Sequence, residues 1–509
     1  MVDIINNSEE GDLSTATLPN TPTTTATTVA DKQSLSNYEI PTSPSPTIIS
    51  DSVSIEKELS WEPNDPENPQ NWSKGFRWVY TLIVSSLVVS SAFGSSIVSG
   101  DRDGITSEFH VSSTVHALQV SLMVCGFGVG PILWSPLSET VGRKPVYIIA
   151  LGIYVIFNIP CALAKNIGTI LVCRFLCGFF ASVSLTLAGG SISDIFSARE
   201  RGTAIAFFAA APYGGPVLGP IVGGWVSVGT GSWRWIYWVN MIFAFVMWVI
   251  VCFLPETYSP VLLRRKYGQG SLVESLKQNF DIQTILIRPF KLLATEPILF
   301  LMSLYVSIIY ALLYAFFGSY PIVFGDIFGL NSGFVGLMFI GVLIGVFLAL
   351  LFAPYWEKRY KNSKQTPEDR LPAMMYCAPF IPISLFIFGW TSHSHWVGSA
   401  IAGIPFGFGM VLVYYAANNY IIDCASQFAA SALAAKTIVR SGGGAAFPLF
   451  IGPMYANLGS QWASTLLAFI SLVILPIPFA FYKWGPQIRA RTAAKHAAAV
   501  AAAKEMEKA

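Results

Sequence analysis

The sequence predicts an all-α integral membrane protein with twelve transmembrane helices in two halves of six. Hydrophobic residues make up 53% of the 509 residues and charged residues only 12%, whereas soluble proteins carry roughly a quarter charged residues. Twelve apolar runs are long enough to cross a bilayer, which takes about 20 residues. A polar stretch at 255–297 separates the first six runs from the last six. Two sets of spans are typical of chains built from two homologous halves.

The predicted spans are flanked by two polar segments. Residues 1–75 are rich in Ser, Thr, Pro and Asn, so we expect a disordered tail. Residues 485–509 are rich in Ala, Lys and Arg and are predicted to form a basic helix. Between them lie a first half at 76–254, a central loop at 255–297 and a second half at 298–484. The predicted spans are 78–99, 115–136, 145–164, 169–189, 202–225, 234–254, 298–318, 332–354, 373–391, 396–417, 432–456 and 462–483.

The basic residues predict which side of the membrane each loop occupies. If the N-terminus is cytosolic, the outer loops contain only Arg102, Lys165 and Arg234, and most of the 31 Lys and Arg residues lie on cytosolic segments. Cytoplasmic loops of membrane proteins carry an excess of Lys and Arg. We therefore expect both termini and the central loop in the cytosol.

Composition also argues against several classes of function. A net charge of +2 gives no indication of a nucleic-acid partner. The seven cysteines form no CxxC pair, and the five histidines form no HExxH or other metal-ligand pattern. We therefore expect no metal, no cofactor and no enzymatic activity.

Residues 211–224 predict a bent and tightly packed transmembrane helix. Glycines recur every four residues and prolines recur with the same period, so each set lies along one helix face. A bare glycine ridge lets a neighbouring helix approach closely, and neighbouring helices can bond the backbone groups that proline frees. The alternative is an ordinary packing seam. The residues concerned are Gly215, Pro216, Gly219, Pro220, Gly223 and Gly224, preceded by Pro212.

A short loop after the second span predicts a charged clasp at the inner membrane face. A turn at Gly142 is expected to bring Arg143 and Lys144 close to Glu139, so that charge pairs cross-link helix ends and stabilise one conformation. Ordinary anchoring of basic residues at the cytosolic face is the alternative.

Three basic residues fall inside predicted spans and away from the terminal residues of those spans. Arg174 lies near the outer end of span four, and a buried arginine in a span is costly and usually functional. Lys436 and Arg440 lie four residues apart in span eleven, on one helix face. They either line the inner half of a cavity or extend to the cytosolic interface, and Arg174 has the corresponding alternative at the outer surface.

Aromatic residues on spans seven and ten predict a substrate cavity. Cavities with aromatic walls and few polar groups suit apolar or cationic drug-like molecules. Simple helix packing is the alternative for each residue. The candidates are Tyr310, Tyr314, Phe317, Tyr414 and Asn418.

From about residue 65 to 489 the chain resembles the fungal twelve-span drug:proton antiporters of the major facilitator superfamily, which include multidrug and polyamine exporters. The stretch Gly215–Gly224 is similar to their antiporter motif. The other matching residues are Asn68-Pro-Gln-Asn-Trp72, Pro136-Leu-Ser-Glu-x-x-Gly-Arg-Lys-Pro145, Arg174 with Gly178, Trp233-Arg-Trp235, Leu254-Pro-Glu-Thr257, Arg288-Pro-Phe290, Pro367-Glu-x-Arg-Leu371, and Arg440-Ser with Phe447-Pro448.

Two positions depart from this family. An acidic residue often precedes the Tyr-Pro pair that ends span seven, but Gly318-Ser-Tyr-Pro321 has none. Related transporters tend to carry asparagine where this chain has Lys436. Both differences argue against a polycationic cargo such as spermine.

The resemblance implies a proton-coupled exporter of small organic molecules, such as drugs or toxic metabolites, that works by alternating access in the plasma membrane. Its partners are then the substrate, protons and membrane lipid, and we expect a monomer. A polyamine exporter and a proton-coupled nutrient importer of the same fold are alternatives. A receptor or enzyme is the alternative from another class, and substrate accumulation with and without a proton gradient distinguishes them.

Overall fold

The computed structural model describes residues 61–508 except 63, 198–199, 268–281 and 426–428. Most of the predicted tail, residues 1–60, lies outside the described residues. Eleven described helices are long and apolar enough to cross a membrane. One of these eleven includes the long helix Ala429–Ile474, called α17 below, which joins two predicted spans. Its backbone turns sharply at Gly459, where φ is 73°. With α17 divided there, the twelve predicted spans are all present, and the all-helical prediction is confirmed.

Six long helices form the first half of the bundle. Short polar side chains cap the N-termini of three of them, at Ser73, Ser112 and Asn166. The Asn166 side chain, for example, accepts a 2.8 Å hydrogen bond from the Thr169 backbone N–H. The helices are α1 Lys74–Ser96, the short α2 Arg102–Phe109, α3 Ser113–Val141, α4 Arg143–Ala162, α5 Ile167–Ile195, α6 Arg201–Thr230 and α7 Arg234–Phe253.

The second half repeats six spans, most of them in two pieces. Two short helices of the described part of the central loop precede it, α8 Ser259–Tyr267 and α9 Ile282–Thr295. The spans are α10 Pro297–Tyr320 with a π-helical end at Pro321–Ile327, α11 Ser332–Leu337 with α12 Ile340–Lys361, α13 Leu371–Cys377 with α14 Phe380–Thr391, α15 Trp396–Ile401 with α16 Gly403–Cys424, α17 Ala429–Ile474, and α18 Pro476–Lys508.

Two predicted boundaries are wrong. The segment before α1 is ordered from about residue 65, because Asn68 caps a 3-10 helix at Pro69–Asn71 and Asp65 forms a 2.6 Å ion pair with Lys266 of α8. The hydrogen bond from that ammonium group holds the pKa of Asp65 below its ordinary value. The basic C-terminal helix is not separate from the last span, since α18 runs unbroken through residue 485.

The two halves meet along two lines of helix contact. In the first, α3 packs on α17, and in the second, α6 packs on α11 and α12. Large apolar side chains on the outside of the bundle remain exposed, as at Leu351 and Val473, which are 75% and 78% exposed. A continuous apolar exterior of this kind suits contact with lipid rather than water.

Candidate functional site

A cavity of about 260 Å³ lies between the halves, and its walls come from α3, α5 and α6 of the first half and α16 and α17 of the second. The cavity opens at the end of the bundle where α3 ends and α4 begins and where the central loop packs. We call this end the linker end of the bundle. Apolar residues such as Phe208 and Leu433 form much of the wall. A cleft between halves is the expected position for a ligand in this type of bundle.

The deep part of the cavity contains two basic side chains. Lys436 and Arg440 line it together with Tyr414 and Asn418, and both are almost fully buried, at 3% and 2% exposure. The Lys436 Nζ donates to Asn418 Oδ1 and, at 3.3 Å, to the Tyr414 hydroxyl. Arg440 Nη1 donates to that same hydroxyl at 3.0 Å. Both side chains therefore line this cavity and do not extend out of the bundle, and their role in substrate binding stays a prediction.

Below these cations, a layer of tyrosines closes the cavity. The Arg440 guanidinium lies 4.6 Å above the Tyr310 ring, and the Tyr310 and Tyr314 hydroxyls are 3.1 Å apart. Tyr314 is in turn 2.7 Å from the Ser95 hydroxyl of α1, so this hydrogen bond joins the two halves. Tyr213 of α6 packs edge-on against Tyr310, with ring centroids 5.6 Å apart.

Not all of the predicted cavity residues line this cavity. Tyr414 and Asn418 do, whereas Tyr310 and Tyr314 are buried beneath its floor. Phe317 instead lines two cavities of about 270 and 490 Å³ at the opposite end of the bundle. The prediction that all five residues share one cavity is therefore wrong.

The opposite end is held by contacts between the halves. Arg102, from the first half, forms a 3.0 Å ion pair with Asp326, from the second, and both residues line the two cavities there. A Cβ added at Gly336 of α11 would collide with the backbone of Pro220 in α6, so these two helices touch along their main chains.

A charged cluster is present at the linker end, but its acidic residues are Asp194 and Glu256 and do not include the predicted Glu139. Arg143 pairs with Asp194 of α5 at 3.4 Å and donates to Ser138 Oγ at 2.6 Å. The Glu256 carboxylate accepts the backbone N–H groups of Arg143 and Lys144, at 2.9 and 3.0 Å. It therefore binds the positive N-terminal end of α4. Glu139 is exposed and joins none of the hydrogen bonds or ion pairs found among the described residues.

Gly142 is required at this turn for two reasons. Its φ of 109° is one that residues with side chains rarely adopt, and a Cβ there would lie 2.5 Å from the Glu256 carboxylate. The chain does turn at Gly142, between α3 and α4. The predicted pairing of Arg143 and Lys144 with Glu139 is replaced by contacts to α5 and to the segment after α7.

The second half contains a matching cluster that sequence reasoning did not assign. Arg370 pairs with Glu357 at 2.9 Å and with Asp423 at 3.2 Å, and the Tyr415 hydroxyl donates to Glu357 at 2.5 Å. Glu357 lies in the segment Pro354-x-x-Glu357, which has the same spacing as Pro136-x-x-Glu139 of the first half. Gly202 of α6 packs directly against the Glu357 carboxylate, so the cluster touches the other half.

Arg174 acts as a tie inside the first half. Its side chain is fully buried and donates to the backbone carbonyls of Gln119, Gly94 and Ser95, at 3.0, 2.7 and 2.9 Å. The alternative that it reaches the outer surface is therefore wrong. Its partners are main-chain oxygens of α1 and α3, which a sequence does not reveal.

The glycine ridge of α6 packs against α1 and the turn that follows it. A Cβ on Gly215 would lie 2.6 Å from the Val89 carbonyl, and one on Gly219 would lie 2.7 Å from the Ile97 nitrogen. Gly223 meets the Ile97 carbonyl, and Gly224 meets the Ser332 carbonyl of the second half.

The prolines of α6 free carbonyls that a neighbouring helix satisfies. Pro220 has no N–H for the carbonyl of Pro216, one helical turn earlier. The Ser96 hydroxyl of α1 donates to that carbonyl at 2.7 Å, so a side chain replaces the missing backbone bond.

Comparison with known proteins identifies the family. Residues 84–448 match the family model described as Major Facilitator Superfamily. The chain belongs to the major facilitator superfamily. This major facilitator is therefore a multi-pass secondary transporter and not an enzyme.

Its relatives include fungal transporters with closely similar sequences. It is 50% identical to an uncharacterized MFS-type transporter of Schizosaccharomyces pombe, over 86% of this chain and 83% of the relative. It is 50% identical to "Multidrug transporter TPO3" of Candida glabrata, over 85% of this chain and 71% of the relative. It is 49% identical to "Polyamine transporter 3" of Saccharomyces cerevisiae, over 85% and 72%.

Solved structures confirm the major facilitator fold. The proton:xylose symporter XylE superposes with a TM-score of 0.60 at 14% identity, covering 81% of this chain and 96% of XylE. The human organic anion transporter MFSD10 superposes with a TM-score of 0.56 at 16% identity, covering 80% of this chain and all of that structure.

Proposed function

We propose that this transporter exports small organic molecules across the plasma membrane in exchange for protons, by alternating access. The observation that carries the proposal is the linker-end cavity closed by the Tyr310–Tyr314–Ser95 layer, which joins the two halves by a hydrogen bond. A cavity open to one side and a breakable barrier between two halves are what alternating access requires. Relatives named as multidrug and polyamine transporters support an exported organic cargo.

The proposal also assigns an orientation and a role to the linker-end charges. The excess of basic residues on one set of loops supports a cytosolic linker end with both termini on the same side. The cavity then takes substrate from the cytosol. We assign to the Arg143 cluster and the Arg370 cluster the role of a clasp that stabilises one of the two conformations. A reporter fused after Ala509 should remain unglycosylated if this orientation is right.

Export of polyamines is a second candidate, because a relative at 49% identity is named a polyamine transporter. The charges in the cavity oppose it, since Lys436 and Arg440 lie where a polycation would bind. Repulsion between like charges is strong in a site shielded from water.

Transport in reconstituted vesicles tests the proposal. The purified protein is inserted into liposomes with an acidic lumen, and inside-out molecules should concentrate a fluorescent drug in the lumen as protons leave. Collapsing the pH gradient with an ionophore should abolish the accumulation, and spermine offered in parallel tests the second candidate. Accumulation that is indifferent to the ionophore, or that requires the opposite gradient, would contradict proton-coupled export.

A further inference from the structure

Lys436 and Arg440 are two neighbouring buried cations that no carboxylate among the described residues compensates. Among the described residues, no Asp or Glu forms an ion pair with either side chain, and their hydrogen-bond acceptors are the neutral oxygens of Tyr414 and Asn418. The Arg440 Nε is buried, and the described part of the chain offers it no acceptor. An unpartnered buried donor on a cation is costly and rare.

The contrast with other arginines shows what is missing. Arg143 and Arg370 each pair with carboxylates, and Arg174 has three backbone carbonyls. Arginine retains its charge in proteins, and two positive charges close together at a buried position repel each other. Within the described residues, no negative charge therefore balances the Lys436 and Arg440 side chains at the cavity floor.

Among the described residues, the immediate surroundings of the pair supply no negative charge. Beside these two cations, the charged residues that line the cavity are Arg143, which is already paired with Asp194, and Glu139, which is exposed at the mouth. The elements packed over the pair contribute tyrosine rings and the apolar wall. The potential at the cavity floor is consequently positive, with an apolar chamber directly above it.

We propose that this cavity binds an organic anion, with a carboxylate or similar group held between Lys436 and Arg440 and an apolar body in the chamber above. The inference rests on the proposed function only in taking this cavity as the transport site. Ammonium and guanidinium groups form their strongest hydrogen bonds with oxyanions, and the free Arg440 Nε is a donor of that kind. A small aromatic acid satisfies both the charge and the apolar wall.

Direct binding to the purified full-length protein in detergent tests the inference, with benzoate as probe and benzylamine as its cationic counterpart. Benzoate should bind at least roughly tenfold more tightly than benzylamine, because a hydrogen bond between charged groups changes the affinity by that factor or more. Lys436→Asn should weaken benzoate binding by roughly tenfold or more. That variant should fold, because the transporters that this chain resembles tend to carry asparagine there.

Two further variants separate charge from structure. Lys436→Arg retains the positive charge and should retain most benzoate binding. Lys165→Gln removes a lysine from an exposed loop at the opposite end and should leave binding unchanged. Chloride is titrated against gluconate as a third probe. Binding of chloride without benzoate would overturn the inference in favour of an inorganic anion, and tighter binding of benzylamine or spermine would overturn it in favour of cations.

Failure of this inference is distinguishable from failure of the proposed function, because binding in detergent needs no gradient. If benzoate binds through Lys436 but no flux responds to a pH gradient, the anion site stands and the exporter proposal fails. If drug flux follows the gradient but benzoate does not bind, the exporter proposal stands and the anion site fails.

Discussion

Replacing Gly219 by alanine tests the close packing of α6 on α1 with the smallest possible change. The added methyl group would lie 2.7 Å from the Ile97 nitrogen and would also meet the Ser96 hydroxyl. That hydroxyl donates to the carbonyl of Pro216, which Pro220 leaves without an intrahelical donor. The substitution therefore both overpacks a helix contact and displaces the side chain that repairs a proline break.

Two contributions set the size of the effect. Overpacking a tight contact costs about 1–3 kcal/mol, and a hydrogen bond between membrane helices contributes on average about 0.6 kcal/mol. The expected destabilisation is therefore about 2–4 kcal/mol. If this cost falls on one conformation of a two-state transporter, 2 kcal/mol already shifts the population ratio about 30-fold.

The measurements are flux per molecule in liposomes and the melting temperature in detergent. Gly229→Ala is the matched control, since it lies on the same helix and a Cβ there meets nothing within 4 Å. We expect the control to be neutral or slightly stabilising, because alanine favours a helix. Ser96→Ala combined with Gly219→Ala should recover only part of the loss, as the Ile97 contact remains. Wild-type flux and melting temperature for Gly219→Ala would refute the close-packing argument.

Three further predictions concern charged residues. Arg143→Ala should slow flux per molecule at normal membrane abundance. Lys144→Ala should have little effect, because among the described contacts only the backbone of Lys144 contacts the cluster. Equal effects of the two substitutions would contradict the assigned contacts. Arg174→Lys should lower the melting temperature, because an ammonium group cannot reach the three carbonyls in the same geometry; an unchanged melting temperature would count against the tie. In a Ser99→Cys background, Asp326→Asn should raise maleimide labelling by at most about fivefold, as expected for a partly exposed ion pair. Reduced labelling would contradict a closing role for the Arg102–Asp326 ion pair.

The spans and the glycine ridge could be predicted because the bilayer and the helix repeat act on adjacent residues. A run of about 20 apolar residues has one plausible structure in lipid, and a four-residue glycine repeat must lie on one helix face. The interruption inside α17 at Gly459 falls between two predicted spans for the same reason. These features need no knowledge of residues distant in the chain.

The linker-end cluster could not be predicted completely because its members are distant in sequence. Glu139 is close to Arg143 along the chain, yet Asp194 and Glu256 are the acids that α5 and the segment after α7 bring to it. Glu256 is part of the Leu254-Pro-Glu-Thr257 motif, but the motif does not show which helix end the Glu256 carboxylate binds. Ion pairs across helices depend on packing that local spacing does not describe.

The misplacement of Phe317 has a simple geometric cause. Tyr310 and Phe317 do share a helix face, but seven residues of helix separate them by about 10 Å along the axis. That distance is enough to place one at the floor of the linker-end cavity and the other in the cavities of the opposite end. Sequence periodicity predicts which face of a helix a residue occupies. It does not predict on which side of the tyrosine layer that residue lies.

The two uncompensated cations at the cavity floor also bear on how membrane voltage enters the transport cycle. An anion that leaves the cell moves down an inside-negative potential, which is worth about 2.3 kcal/mol per charge at 100 mV. That energy corresponds to roughly a fiftyfold concentration ratio. A proton entering in exchange adds a second charge moving in the favourable direction. If this transporter exchanges an anion for a proton, as we propose, export stays strongly driven in a neutral medium, where the pH gradient is absent and an electroneutral exchanger stops.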